Sequence, residues 1–405
     1  HRDLHKEYRR QRQMCIRDSS FGYYGGQLFN GWPFFNPLCV VGIFLETMQV
    51  MSKSYQIAIL GATYGSLLST KLLLGGHNVT LVGLPNEVEL INRTGTRVRI
   101  PIKDQDQPLE VDSQVLTGSL RALPPEAVLS VDYDLIVLAM QEPQYAQANV
   151  RTLLKKVAQS ETPCLSIMNM PPLAFLARIP GFPLEACRYC YTDASVWDAF
   201  DPALITLCSP DPQAYRPPNA APNVLQVGLP TNFKAARFES ENHTGVLRQL
   251  EKDIEVARYD TSNGPVDVPV KLKVHDSVFV PLAKWCMLLA GNYRCIQKEA
   301  MRSIREAVHA DLEETKRVYQ FVMDLCIDLG ANKEDLVPFE KYAHAAESLQ
   351  NPSSAARALF GGAPNIERVD LLIQTISAQK NRHDAALNEI VDLVNRRLEI
   401  NRQDN

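Results

Sequence analysis

Gln56-Ile-Ala-Ile-Leu-Gly-Ala-Thr-Tyr-Gly65 is the stretch on which the fold turns. Gln56 to Leu60 is a short apolar run of strand length, and the run from Gly61 to Gly65 follows it at once. Ser66 to Gly75 then reads as a helix, with Leu67, Leu68, Lys71 and Leu72 at helical spacing and Gly75-Gly76 as a stop. Asn78-Val-Thr-Leu-Val82 is a second strand. Strand, glycine turn, helix, strand is the opening of a dinucleotide-binding fold. Glycines there let the backbone approach a pyrophosphate, and the helix start offers free N–H groups and the positive end of its dipole. Gly61, Ala62, Thr63, Tyr64 and Gly65 are therefore candidate cofactor-binding residues. A tight structural turn without a ligand is the competing reading.

The same alternation continues. Asp134 to Met140 is a buried strand, Tyr145 to Val157 a helix, and Pro163 to Asn169 another strand. Ala203 to Cys208 and Val224 to Leu229 are strand-like, and the Pro-rich stretch from Pro210 to Pro222 reads as a loop. After about residue 275 the pattern changes. Ser303 to Leu329, Ile366 to Ile376 and Ala385 to Ile400 carry apolar residues at helical spacing. The fold class is α/β, with an N-terminal Rossmann domain over residues 51–274 and an all-helical C-terminal domain over 275–405.

The 405 residues carry a net charge of −4, which argues against nucleic acid and an anionic membrane surface as partners. No apolar run is long enough to span a bilayer. Nine cysteines, an odd number scattered over a long chain, fit reduced thiols in a cytoplasm. Cys187-Arg-Tyr-Cys190 has no second pair and no neighbouring histidine, so it reads as strand residues and no metal is expected. Residues 1–50 differ in character. Met14-Cys-Ile-Arg-Asp-Ser19 resembles the translation of a sequencing-library adapter, so this segment is expected to be a non-native or disordered extension, with the natural start at Met51 or Met48. A targeting segment is the alternative.

Val278 to Ala290 is apolar nearly all round and reads as a buried helix with one lysine, Lys284, inside it. An ammonium in an apolar site needs a partner or gives up its proton. Such a lysine is a candidate for chemistry, unless it snorkels to an edge. Asn292 lies eight residues on, roughly 12 Å along broadly the same side. Glu367 follows Asn365, which reads as an N-cap with Glu367 as a first-turn acid. Ser353 and Ser354 can cap a helix or hold a carboxylate. Asn169 closes a strand at the edge where ligands bind such sheets, or serves a turn.

Together these segments resemble the ketopantoate reductase (2-dehydropantoate 2-reductase) family. The resemblance rests on Ile57-Ala-Ile-Leu-Gly-Ala62 with Gly76 to Gly83, on the strand ending at Met140 and the strand reaching Asn169, on the Lys284 helix with Asn292, and on Ser353 to Asp370. It implies a Rossmann domain, a helical domain and a cleft between them. It implies NADP as cofactor, with NAD as the alternative, and a small 2-oxo acid as substrate, reduced as in pantothenate biosynthesis. Lys284 then donates the proton as hydride reaches the keto carbon. Glu367 binds the substrate hydroxyl and fixes Lys284, with Asp370 as fallback. Asn292 completes the catalytic set, Ser353 and Ser354 bind substrate, and Asn169 links substrate to cofactor. Leu84, Met140 and Gln141 join the cofactor-binding set by position. The chain departs from the family pattern in four places. Its glycine turn is one residue short, Leu84 stands where an arginine is usual, Gln141 where a lysine is, and Leu288 where an asparagine often is. A non-catalytic NADP(H)-binding redox sensor and an opine-type dehydrogenase are the rival readings. A helical second domain is compatible with a homodimer.

Overall fold

The computed structural model describes residues 53–103, 105–130 and 132–404. The expectation for residues 1–50 lies outside them. Strand β1 (Gln56–Leu60) is buried along nearly its whole length. Such a continuous apolar strand belongs in a parallel sheet covered on both faces. Helix α1 (Ala62–Leu74) and strand β2 (Asn78–Val82) follow. α2 (Pro85–Thr94), β3 (Arg97–Ile100), β4 (Leu109–Asp112), β5 (Leu120–Leu123), β6 (Leu135–Leu138), α3 (Ala148–Gln159) and β7 (Cys164–Ile167) come next. Then come two short helices, α4 (Leu173–Leu176) and α5 (Leu184–Cys187), and strands β8 (Ile205–Ser209), β9 (Gln213–Tyr215), β10 (Val224–Leu229) and β11 (Phe233–Ala236). Helix α6 (Glu241–Val256), the hairpin β12 (Tyr259–Thr261) and β13 (Gly264–Val266), and β14 (Leu272–His275) close the strand-bearing part.

Eight strands form one sheet in the order β14-β11-β8-β7-β6-β1-β2-β5. All its pairs are parallel except β8 with β11. A four-stranded sheet, β4-β3-β10-β9, stands apart from it. Strand β9 lies inside the Pro-rich stretch that the sequence reads as loop. The expected strand around Cys187 and Cys190 is instead α5 and a 3₁₀ turn, Arg188–Cys190, with both thiols buried. Among the described residues no group of side chains is placed to hold a metal ion, and no helix is long and apolar enough to cross a membrane.

The five-residue glycine loop is not there. Gly61 alone makes the turn, at φ 110°, and α1 opens at Ala62. A Cβ at Gly61 would stand 2.5 Å from the Ala139 carbonyl oxygen, so only glycine fits. Ala62, Thr63, Tyr64 and Gly65 are thus helical, because one residue is enough to reverse the chain.

From Pro281 onward every regular element is helical apart from an isolated bridge between Ile296 and Met301. The rod around Lys284 is not one uniform helix. A 3₁₀ turn (Pro281–Ala283) leads into α7 (Lys284–Met287), a π turn (Leu288–Asn292) and a second 3₁₀ turn (Tyr293–Cys295). Two contacts hold the wide turn open. The Tyr342 hydroxyl donates to the Met287 carbonyl at 3.1 Å, and Gly291 leaves room for that phenol, which a Cβ would meet at 1.9 Å. The expected long helix after Ser303 is two, α8 (Ile304–His309) and α9 (Leu312–Asp328), because Asp311 caps the second from an extended conformation. α10 (Phe339–Ala346), α11 (Ser354–Phe360), α12 (Val369–Gln379) and α13 (Ala385–Asp404) complete the chain. Their apolar faces and the Lys284 rod join one face of the large sheet in a continuous core.

Candidate active site

Strands β1, β6 and β7 are parallel neighbours, so their C-terminal ends lie along one edge. That edge carries Gly61, then Met140 and Gln141, then Asn169. Open α/β sheets place their ligands there. Asn169, Gln141, Leu288, Asn292, Tyr293, Ser354, Ile366 and Glu367 line a single cavity of about 20 Å³. Both halves of the chain contribute to it.

Glu367 is the hinge of this arrangement. Helix α12 begins at Val369, so Glu367 lies ahead of it and not in its first turn. Asn365 does not cap it either: its side chain accepts from Arg402 at 3.0 Å. The Glu367 carboxylate instead turns to β7, where Asn169 Nδ2 donates to it at 3.0 Å. The backbone N–H groups of Glu142 and Met170 also bond it. Burial pushes its pKa up in spite of these donors. Tyr293, beside Asn292, donates its hydroxyl to the Glu367 carbonyl and accepts from the Val369 N–H at 3.1 Å, which pins the turn in place. Asn169 Oδ1 is buried and takes no hydrogen bond, so a buried acceptor stands unused beside the cavity.

Lys284 keeps 18% of its side chain exposed. Its Nζ donates to the Pro210 carbonyl and stands 3.8 Å from Asp211 Oδ1. Burial lowers its pKa, against the opposing pull of Asp211 and Glu367. Lys284 itself does not line the cavity, but Glu367 on the cavity wall acts on its charge, and an ammonium whose proton is loosened by burial is suited to general-acid work.

The remaining expected residues divide. Ser354 is exposed and lines the cavity. Ser353 does not line it: it is the N-cap of α11, accepting from the Ala356 N–H at 3.2 Å and donating to the Asn292 carbonyl at 2.7 Å. Asp370 is fully buried in an ion pair with Arg368 at 2.9 Å and serves as no fallback. Thr63 is exposed on the first turn of α1, which carries no acid and no side-chain cap. Tyr64 instead donates its hydroxyl to the Pro212 carbonyl. Leu84 is 59% exposed just beyond β2. Its N–H bonds Glu87 at 3.2 Å, and Glu87 in turn pairs with Arg216.

Sequence reasoning passed over four residues here: Asp211, Tyr293, Glu142 and Arg216. Tyr293 adjoins a chosen residue and was within reach. Glu142 is 1% exposed, holds the Thr192 N–H and hydroxyl at 2.9 Å, and is pushed up to about 7 by burial. Nothing in the local sequence marks Asp211 or Arg216.

No protein-family model matches the chain, and no curated protein is similar to it in sequence. Its structure is similar to solved ones. A 2-dehydropantoate 2-reductase from Methylococcus capsulatus superposes with a TM-score of 0.56 at 13% identity, covering 85% of this chain and 97% of that one. A D-mandelate dehydrogenase in complex with NADH gives 0.53 at 13% identity, covering 85% and 99%. A dimeric ketopantoate reductase from Staphylococcus aureus gives 0.52 at 10% identity, covering 85% and 99%. The fold of this chain, a Rossmann domain followed by a helical domain, is the fold that ketopantoate reductases share.

Proposed function

We propose that this chain is an NADP-dependent reductase of a small 2-oxo acid, of the ketopantoate reductase type. One observation carries the reading. Residues 198 positions apart, Asn169 and Glu367, hydrogen-bond to each other on the wall of a polar cavity at the ligand-binding edge of the sheet, and Glu367 acts on the charge of the half-buried Lys284.

The residues present fit a nicotinamide dinucleotide. The first turn of α1 offers its N–H groups without a competing carboxylate, and Gly61 brings the backbone close. Gly61, Ala62, Thr63, Tyr64 and Gly65 would hold the pyrophosphate, with Leu84, Met140, Gln141 and Asn169 around the rest. A bound nicotinamide supplies the hydride. The chain does the remainder. Lys284 points its ammonium at the keto oxygen, stabilises the charge that develops there and gives it a proton. Glu367 accepts from the substrate hydroxyl, Asn292 and Ser354 fill the polar wall, and the unused Asn169 Oδ1 accepts from substrate or cofactor.

NAD is the alternative cofactor, since Leu84 offers no cation; the mandelate dehydrogenase of this fold was solved with NADH. We place the protein in the cytoplasm and, by likeness to the dimeric reductase, as a homodimer. The test is oxidation of NADPH and NADH with ketopantoate and a panel of 2-oxo acids, each with and without an added amine. Turnover with an oxo acid alone supports the reading, and amine-dependent turnover moves it to an opine-type dehydrogenase. A second reading, a redox sensor that binds the dinucleotide without turnover, draws on the small cavity and on the Pro210 carbonyl that engages Lys284. Binding of NADPH with no oxidation by any acid decides for it.

A further inference from the structure

Two tasks fall to Glu367 if the family pattern is followed: binding substrate and fixing Lys284. In this chain a different carboxylate stands next to the ammonium. Asp211, 14% exposed, places Oδ1 3.8 Å from Lys284 Nζ and Oδ2 2.8 Å from Lys234 Nζ. Among the described residues no other carboxylate forms an ion pair with Lys284. Asp211 sits in Pro210-Asp-Pro212, between two prolines that fix their own φ, so the segment is a stiff strap. Three ties hold the strap. The Pro210 carbonyl takes the Lys284 ammonium, Asp211 takes Lys234 on β11, and the Pro212 carbonyl takes the Tyr64 hydroxyl on the first turn of α1. The Tyr64 ring packs edge-on against Phe233, next to Lys234, at 6.1 Å. The strap therefore runs from the first turn of α1 to the lysine.

We propose that Asp211 is the positioning residue for Lys284, holding its ammonium charged and aimed, with Lys234 as a competing cation that limits how strongly it does so. This rests on the reading of Lys284 as proton donor. It leaves Glu367 to bind substrate, with a pull on Lys284 second to that of Asp211. The groups facing Lys284 are Asp211 on the strap, Lys234 on β11, Cys208 on β8 and Glu367 ahead of α12. Asp211 and Glu367 favour the charged lysine, whereas Lys234 and burial oppose it. Removing Asp211 or Lys234 thus moves the lysine in opposite directions, which a merely structural strap would not produce.

The experiment uses the full chain with ¹³C-labelled lysine. The Lys284 signal is identified by its loss in Lys284→Met, and its titration is followed by NMR in wild type, Asp211→Asn and Lys234→Met. Asp211→Asn should lower the Lys284 midpoint by about 1 pH unit or more, and Lys234→Met should raise it. The alkaline limb of kcat/KM for the reducible oxo acid should move with each midpoint, and Asp211→Glu should restore most of the shift. An unmoved midpoint in an Asp211→Asn protein that melts like wild type overturns the proposal, as does a downward shift in Lys234→Met. If Asp211→Asn does not fold, Lys234→Met decides by the same rule. If the midpoints move as stated while no oxo acid is reduced, the positioning role stands and the reductase reading falls.

Discussion

Lys71 and Lys284 both sit in apolar helices, the first buried and the second half-buried, and their surroundings differ. Lys71, on α1, is 1% exposed and donates to the Val268 carbonyl at 2.7 Å. Burial is the largest influence on it and takes its pKa down to about 7. Lys284 is less buried, at 18%, yet two carboxylates act on it, Asp211 on the strap and Glu367 on the wall of the cavity. If Lys284 is the proton donor proposed above, depth of burial is a poor guide to chemical use. Lys71 is the more extreme case and does the plainer work, tying α1 to the segment ahead of β14. What separates the two is the company each keeps.

The largest effect that would break this contrast is at Lys284. Lys284→Ala should lower kcat by roughly 100- to 10,000-fold, with a far smaller change in the melting transition. Wild-type-like turnover would make the two lysines alike and remove the reductase reading. Lys71 is tested through stability. Its pKa is about 7 folded against 10.5 for the free side chain, so between these values the unfolded chain binds the extra proton. Stability therefore rises with pH across that window, by up to about 1.4 kcal/mol per unit. Urea midpoints of wild type and Lys71→Met at pH 6.5, 8.5 and 10 should show wild type gaining on the variant. A constant difference would mean that Lys71 is not pushed down by burial. Glu367→Gln should cost about 2 kcal/mol in kcat/KM, roughly 30-fold, through loss of a charged acceptor; steady-state kinetics with the best oxo acid measures it. Ser353→Ala should cost about 1 kcal/mol of stability through loss of the α11 cap, read from thermal melts. A kinetic loss larger than the stability loss would return Ser353 to the substrate side.

The sequence made much of this architecture legible, and the limits have physical causes. β1, α1 and β2 announce themselves because each is a local pattern with a local stop. Asn169 and Glu367 could be named singly, but their contact is a long-range event that no spacing rule contains. Capping logic misplaced Glu367, because Arg402 claims Asn365 and the turn is set by Tyr293 instead. The glycine turn was read as a loop because five residues with two glycines look like one; the sterics at Ala139 show that one glycine suffices. Asp211 was invisible: an acid in a Pro-rich segment is ordinary, the pairing of β8 with β11 brings it to Lys234, and its approach to Lys284 is a long-range contact.

The π turn at Leu288–Asn292 has a consequence for how this chain tolerates change in length. Each residue in a regular helix advances the side chains by about 100°, and the wide turn holds one more than an ordinary turn would. Deleting a single residue within Leu288–Gly291 would let the turn close to regular pitch while Asn292 and Tyr293 kept their side of the rod relative to Lys284. The same deletion in a regular stretch of the rod would swing everything beyond it by about 100°. The wide turn is thus the one place on this rod where the chain can shorten by a residue without turning the cavity wall away from the lysine.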